Sequence, residues 1–123
     1  MRVELNYNLE DVKSEFTPIP AADYLGRLDK FELTASKDGK PMIKAAWEVV
    51  DGEFAGRKLF DNVMLDVEWK VKQYCVAANI ESGREFDTQD FLNTEAILSV
   101  IIEPAKDGYA EKNKINKVRP VVL

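Results

Sequence analysis

Residues 41–65 read P-M-I-K-A-A-W-E-V-V-D-G-E-F-A-G-R-K-L-F-D-N-V-M-L, and this stretch decides the fold. Its first half alternates apolar residues such as Ile43 and Trp47 with polar ones such as Lys44. A period of two is typical of a half-buried β-strand. A short acidic connection ending at Gly56 follows, and then a second strand. The stretch therefore predicts two neighbouring β-strands.

The second of these strands carries the chemistry that suggests a function. Arg57, Lys58 and Phe60 lie close together in it, and cationic plus aromatic groups on one curved sheet can hold a nucleic-acid strand. The same residues also fit an ordinary core strand with solvated lysines. Phe60 has the opposite parity from Leu59, so we predict that Phe60 faces outward, whereas Trp47 packs in the core.

Length and composition predict one folded intracellular domain. The chain has 123 residues and is 46% hydrophobic, which suffices for a core without crosslinks. Its single cysteine, Cys75, cannot form an internal disulfide. We find no apolar run of membrane-spanning length and no signal-peptide block, so we expect a cytoplasmic protein that does not contact membranes.

The chain contains no histidine, which argues against most enzyme mechanisms. Histidine is the usual general base and a common metal ligand. The sequence also lacks the carboxylate spacing of a calcium loop and any glycine-rich phosphate loop. We therefore expect no catalytic residue, no metal site and no cofactor. A nuclease with a carboxylate-bound metal is the least favoured alternative.

Charge is distributed unevenly along the chain. The net charge is −5. Residues 1–32 contain seven acidic and four basic side chains, whereas residues 104–123 contain two acidic and five basic ones. An acidic total can therefore coexist with one basic face near the C-terminus, which is the distribution that matters for nucleic acid.

The rest of the pattern predicts an arm at residues 1–20 and a domain at residues 21–123. We expect five strands, at residues 23–35, around Trp47, and at residues 57–65, 95–103 and 112–122. A phase slip near Gly26 suggests a bulge in the first strand. The apolar run at residues 95–103 predicts a strand covered on both sides.

One helix is predicted between the third and fourth strands. It begins after Asp66 as the capping residue and runs to about Ile80, since Val71 and Tyr74 share a helical face. The predicted order is three strands, one helix and two strands. This is the order of elements in a five-stranded OB-fold-like barrel, so the expected class is mainly β. That fold binds on its strand 2–3 face and on the loops after strands 1 and 4.

The candidate nucleic-acid-binding residues are cations and aromatics on these strands and loops. They are Lys37, Lys40, Lys44, Arg57, Lys58, Phe60, Lys106, Tyr109, Lys112, Lys114, Lys117 and Arg119. A solvated edge strand would explain the last lysines equally well, because lysines on an edge prevent aggregation.

Several short motifs extend across most of the chain. They are F-x-P-I-P at residues 16–20, M-I-K at 42–44, E-V-V-D-G-E-F-A-G-R-K-L-F-D at 48–61, D-G-Y at 107–109 and N-K-I at 113–115. Through them the sequence from Phe16 to Val118 resembles a group of small phage and prophage proteins that are regarded as single-stranded DNA-binding proteins. The resemblance implies non-catalytic, sequence-tolerant binding of single-stranded DNA during phage replication or recombination, in the cytoplasm of a bacterial host.

A protein-interaction adaptor is the main alternative. Its acidic arm or its apolar end at residues 121–123 would dock a phage recombinase or nuclease without touching DNA. Phage replication or recombination proteins are thus expected partners under either hypothesis. The sequence is compatible with a homodimer.

Overall fold

The computed structural model describes residues 1–6, 18–80, 83, 85–105, 108 and 110–121. Within them lie five strands, one α-helix and one short 3-10 helix. The strands are β1 (Ala22–Ala35), β2 (Pro41–Val49), β3 (Lys58–Met64), β4 (Glu95–Glu103) and β5 (Lys112–Pro120). The α-helix, α1, spans Glu68–Ala77, and the 3-10 helix spans Thr88–Phe91. The predicted mainly β class, with one helix between the third and fourth strands, is confirmed.

The five strands form one antiparallel sheet in the order β3-β2-β1-β4-β5. The long β1 makes this order possible, because its first half pairs with β4 and its second half with β2. Main-chain pairing ends at β3 on one side and at β5 on the other. In the described part of the chain, the sheet is therefore not closed by a hydrogen-bonded ladder.

A bulge bends β1 where its partner changes. The pairing with β2 shifts between Leu28 and Lys30, so Asp29 is the extra residue. The sequence predicted this bulge near Gly26, three positions earlier. Gly26 has another role: a Cβ there would lie 2.5 Å from the Leu98 side chain, so a larger residue would force that side chain to move.

An aromatic cluster forms the centre of the core. Trp47 is fully buried, as predicted, and Tyr74 of α1 packs against it. Phe31 stacks on Phe91 of the 3-10 helix with ring centroids 4.3 Å apart. The core thus joins the sheet to both helical segments.

The helix α1 starts later and ends earlier than the sequence indicated. Its N-cap is Val67 without a side-chain cap, so the predicted capping role of Asp66 is wrong. Asn79 ends the helix in a left-handed conformation, with φ of 57°, while the Ile80 N–H donates to the carbonyl of Cys75. This is a Schellman motif. No helix in the described ranges has the length and apolarity needed to cross a membrane.

Strand β4 is covered on one face only. Ala96, Leu98 and Val100 are buried, but Ile101 on the other face is 38% exposed. The prediction that both faces are covered is therefore wrong. In the described residues α1 packs on the inner side of the sheet, whereas outer-face side chains such as Phe60 and Ile101 are exposed.

Candidate nucleic-acid interface

A second bulge places the cations of β5 on one face. The pairing of β4 with β5 shifts so that Asn116 has no partner, between Ile115 and Lys117. Without this extra residue, the cations before and after it would point to opposite sides. With it, four exposed cations share the outer face, and we call them the β5 basic row: Lys112, Lys114, Lys117 and Arg119.

The two free edges of the sheet face each other across an open cleft of about 630 Å³. We call it the seam cleft, since it lies between β3 and β5. Its lining residues are Pro18, Gly56, Arg57, Lys58, Leu59, Phe60, Asp61, Asn62, Lys70, Glu103, Lys112, Asn113 and Lys114. Five of them are cationic and two are acidic. The volume lies in the range of ligand sites, and the charge favours an anionic ligand.

Phe60 is the aromatic side chain of this cleft. It is 71% exposed, on the outer face of β3 opposite Ala46. The outward orientation predicted from its parity is thus confirmed. An exposed ring beside cations can stack on a base of any identity.

The helix α1 bridges the two edges of the cleft. On the β3 side, the Lys70 ammonium lies 2.6 Å from an Asp61 carboxylate oxygen and 2.9 Å from the carbonyl oxygen of Asn62. On the β5 side, the Val118 N–H donates to the Gln73 side-chain oxygen at 3.0 Å. These contacts fix the separation of the edges without strand pairing.

A buried hydrogen-bond chain connects the cleft to the core. Asp61 accepts from the Tyr74 hydroxyl at 2.7 Å, and that hydroxyl accepts from the indole N–H of Trp47 at 3.0 Å. Burial, together with the Asp61 carboxylate, raises the pKa of Tyr74 well above its usual value. Tyr74 therefore stays protonated and donates to Asp61, which also binds Lys70.

Lys58 is held by carboxylates on the outer face of the sheet. Its ammonium lies 2.6 Å from Asp29 and 3.1 Å from Glu48, and Arg27 pairs with the same two acids. The hydrogen bond from Lys58 lowers the pKa of Asp29, and the same bond raises the pKa of Lys58. Lys58 thus contributes less free positive charge to the cleft than the sequence suggested.

Asn113 fixes the entry of the chain at the cleft. Its side-chain oxygen accepts from the Ile19 N–H at 2.9 Å, and its side-chain nitrogen donates to the Ile19 carbonyl at 2.9 Å. These two hydrogen bonds have the pattern of a backbone hydrogen-bond pair between neighbouring β-strands. It keeps Pro18 in the wall of the cleft.

The structure brings some of the predicted residues together and separates others. Of the twelve, Arg57, Lys58, Phe60, Lys112 and Lys114 line the seam cleft. The other described candidates lie outside it.

Those other candidates have varied surroundings. Lys37 and Lys40 are exposed in the turn after β1, and Lys44 is exposed on the outer face of β2. Lys117 and Arg119 continue the β5 basic row, where Arg119 pairs with Asp23. Two predicted residues lie outside the described residues: Lys106 and Tyr109.

Sequence reasoning missed the polar residues that shape the cleft. Lys70 stands on a helix whose orientation the sequence did not reveal, and Asn62 and Asn113 carry no charge. The spacing of Lys70 and Tyr74, one turn apart, could have indicated a shared contact with β3.

Comparison with other proteins gives a family without an assigned activity. The family described as "Protein of unknown function (DUF669)" matches residues 5–121, so the chain belongs to that family. Curated protein sequences give no match. Among the described residues, no group of cysteine, aspartate and glutamate side chains is arranged to hold a metal ion. The expected lack of metal and cofactor remains a prediction.

Proposed function

We propose that this DUF669 protein binds single-stranded DNA in the seam cleft, without catalysis and without sequence preference. Lys112 and Lys114 would neutralise phosphates from the β5 side. Phe60 would stack on a base from the β3 side. Lys117 continues the cationic path along β5.

The observation that carries this proposal is the position of Phe60 opposite the β5 basic row. A solvated edge strand accounts for the lysines alone. The Phe60 ring, 71% exposed across the cleft from Lys112 and Lys114, adds a surface on which a base can stack. Stacking on such a ring contributes about 1–3 kcal/mol per base. Three to five neutralised phosphates would give a salt-dependence slope of about −2 to −3.5 for a single strand.

An OB-fold accommodates this arrangement. That fold is a five-stranded, partly open Greek-key barrel. The strand order β3-β2-β1-β4-β5, with β3 and β5 facing each other, is compatible with it. The seam between β3 and β5 would then be the opening of the barrel, and α1 would cover one end of it.

The biological setting is part of the same proposal. The resemblance to small phage and prophage proteins supports a role in phage replication or recombination, in the cytoplasm of the bacterial host. Replication or recombination proteins would be the partners at the bound strand.

Fluorescence anisotropy with a labelled single strand of about 30 nucleotides tests the proposal, at two salt concentrations and with duplex as competitor. The wild type should bind the single strand and resist duplex competition. Lys114→Glu should weaken binding at least tenfold. Lys72→Glu, an exposed cation of α1 outside the cleft, is the matched control and should bind nearly as tightly as wild type. Equal losses in the two variants would contradict the cleft as the site.

A protein-interaction adaptor is the second candidate, and one observation favours it. Trp69 is 61% exposed and Val76 is 47% exposed on the outer side of α1, seven residues apart and so on one helical face. This apolar strip would dock a phage recombinase or nuclease. A partner retained after nuclease treatment and high salt, and lost with Trp69→Ala, would support the adaptor.

A further inference from the structure

The outer face of β1, β2 and β3 is arranged in cross-strand rows. Paired residues of an antiparallel sheet point to the same side. One row consists of Lys30, Ala46 and Phe60. The neighbouring row places Lys44 between Glu32 and Asn62.

The bulge at Asp29 decides the orientation of Lys30. Leu28 is buried, and Lys30 would share its side in a regular strand. The extra residue turns Lys30 to the outer face, where it is exposed opposite Ala46. The sequence alone therefore gave no reason to include Lys30 in the site.

The short side chain of Ala46 leaves a shallow depression in the middle of this row. Ala46 is only 8% exposed although it lies on the outer face, as expected for a short side chain between the longer ones of Lys30 and Phe60. Two strand spacings, about 10 Å, separate the backbones at Phe60 and Lys30. The exposed ring of Phe60 lies on one side of this depression, and the exposed ammonium of Lys30 lies on the other.

We infer that this row is a subsite for one base of the single strand, continuing the path from the seam cleft. The inference rests on the proposed function. The base lies on the Ala46 methyl and stacks against Phe60. The ammonium groups of Lys30 and Lys44 hold its flanking phosphates.

The charges of the described residues permit this arrangement. Neither Lys30 nor Lys44 forms an ion pair within the described ranges, although Glu32 is opposite Lys44 in the register. Both lysines are therefore available to phosphate. Lys58, in the row on the other side, is occupied by Asp29 and Glu48.

Two substitutions separate the roles of base and phosphate. Ala46→Ile fills the depression at Ala46 without changing the charge, and isoleucine is favoured in β-strands. It should weaken single-strand binding at least about fivefold and leave the salt slope unchanged. Lys30→Gln should weaken binding and reduce the magnitude of the salt slope by about 0.7, the contribution of one phosphate contact.

Matched variants complete the experiment. Ala22→Ile makes the same change at an exposed position of β1 outside this row and should bind as wild type. Lys72→Gln removes an exposed cation of α1 and should leave the salt slope unchanged. Urea midpoints verify that each variant is folded. If Ala46→Ile and Lys30→Gln bind as wild type while Lys114→Glu is weakened, the strand stays in the seam cleft and the subsite is refuted. If the wild type binds no single strand, the proposed function itself fails.

Discussion

Replacing Tyr74 with phenylalanine removes a hydroxyl that serves two buried partners. It accepts from the Trp47 indole N–H at 3.0 Å and donates to Asp61 at 2.7 Å. Trp47 is fully buried, so its N–H would have no access to water. Asp61 keeps its contact with Lys70 at 2.6 Å. The substitution therefore leaves one buried donor without a partner and weakens one charged acceptor.

The expected loss follows from these two effects. A buried unsatisfied donor costs about 1–3 kcal/mol, and a hydrogen bond to a charged group contributes about 1.5–3 kcal/mol. Because Lys70 still compensates Asp61, we expect a combined loss of about 2–4 kcal/mol in the free energy of unfolding. With a slope near 2 kcal/mol/M, the urea midpoint should fall by about 1–2 M.

Tyr24→Phe is the control, since it deletes the same atom from a hydrogen bond that is exposed to solvent. The Tyr24 hydroxyl donates to the Pro20 carbonyl at 2.6 Å. Its loss should cost less than about 1 kcal/mol, because water replaces the lost partner. Equal urea midpoints for Tyr74→Phe and Tyr24→Phe would refute the role of the buried chain.

The same substitution should change the alkaline stability of the protein. Burial and Asp61 raise the pKa of Tyr74 above the 10.0 of an ordinary tyrosine. The folded state therefore retains a proton that the unfolded state loses, so this contribution is complete below pH 10 and is lost as pH rises beyond it. Unfolding measured from pH 8 to 11 should show a smaller alkaline decline in Tyr74→Phe than in wild type.

Two backbone substitutions test the local geometry. Asn79 adopts a left-handed conformation. Asn79→Ala should therefore lower the free energy of unfolding, measured with urea, by about 1 kcal/mol, whereas Asn79→Gly should not. Equal stability of the two variants would contradict the Schellman motif. Gly26→Ala should cost about 1–3 kcal/mol, because its Cβ would lie 2.5 Å from the Leu98 side chain. An unchanged urea midpoint would show that this side chain moves aside without cost.

The order of the elements was predictable because each strand has its own pattern of apolar and polar residues. Alternation around Trp47 and the β-branched run at residues 95–103 indicated strands that the structure contains as β2 and β4. The outward orientation of Phe60 followed from parity in the same way. These signals are local, so a single sequence is enough to reveal them.

The composition of the site depended on longer-range features. The bulges at Asp29 and Asn116 decide on which face Lys30 and the β5 cations lie, and they arise from pairing between strands distant in sequence. The neutralisation of Lys58 likewise requires Asp29 and Glu48 from two other strands. A pattern along one strand contains no information about such partners.

The salt dependence of wild-type binding tests the central claim most directly. Anisotropy of a labelled single strand, titrated across a series of salt concentrations, gives the slope of log affinity against log salt concentration. Three to five phosphates held by the β5 basic row and the other cations of the binding path predict a slope of about −2 to −3.5. A slope near zero, or no binding at the lowest salt concentration, would contradict single-strand binding in the seam cleft.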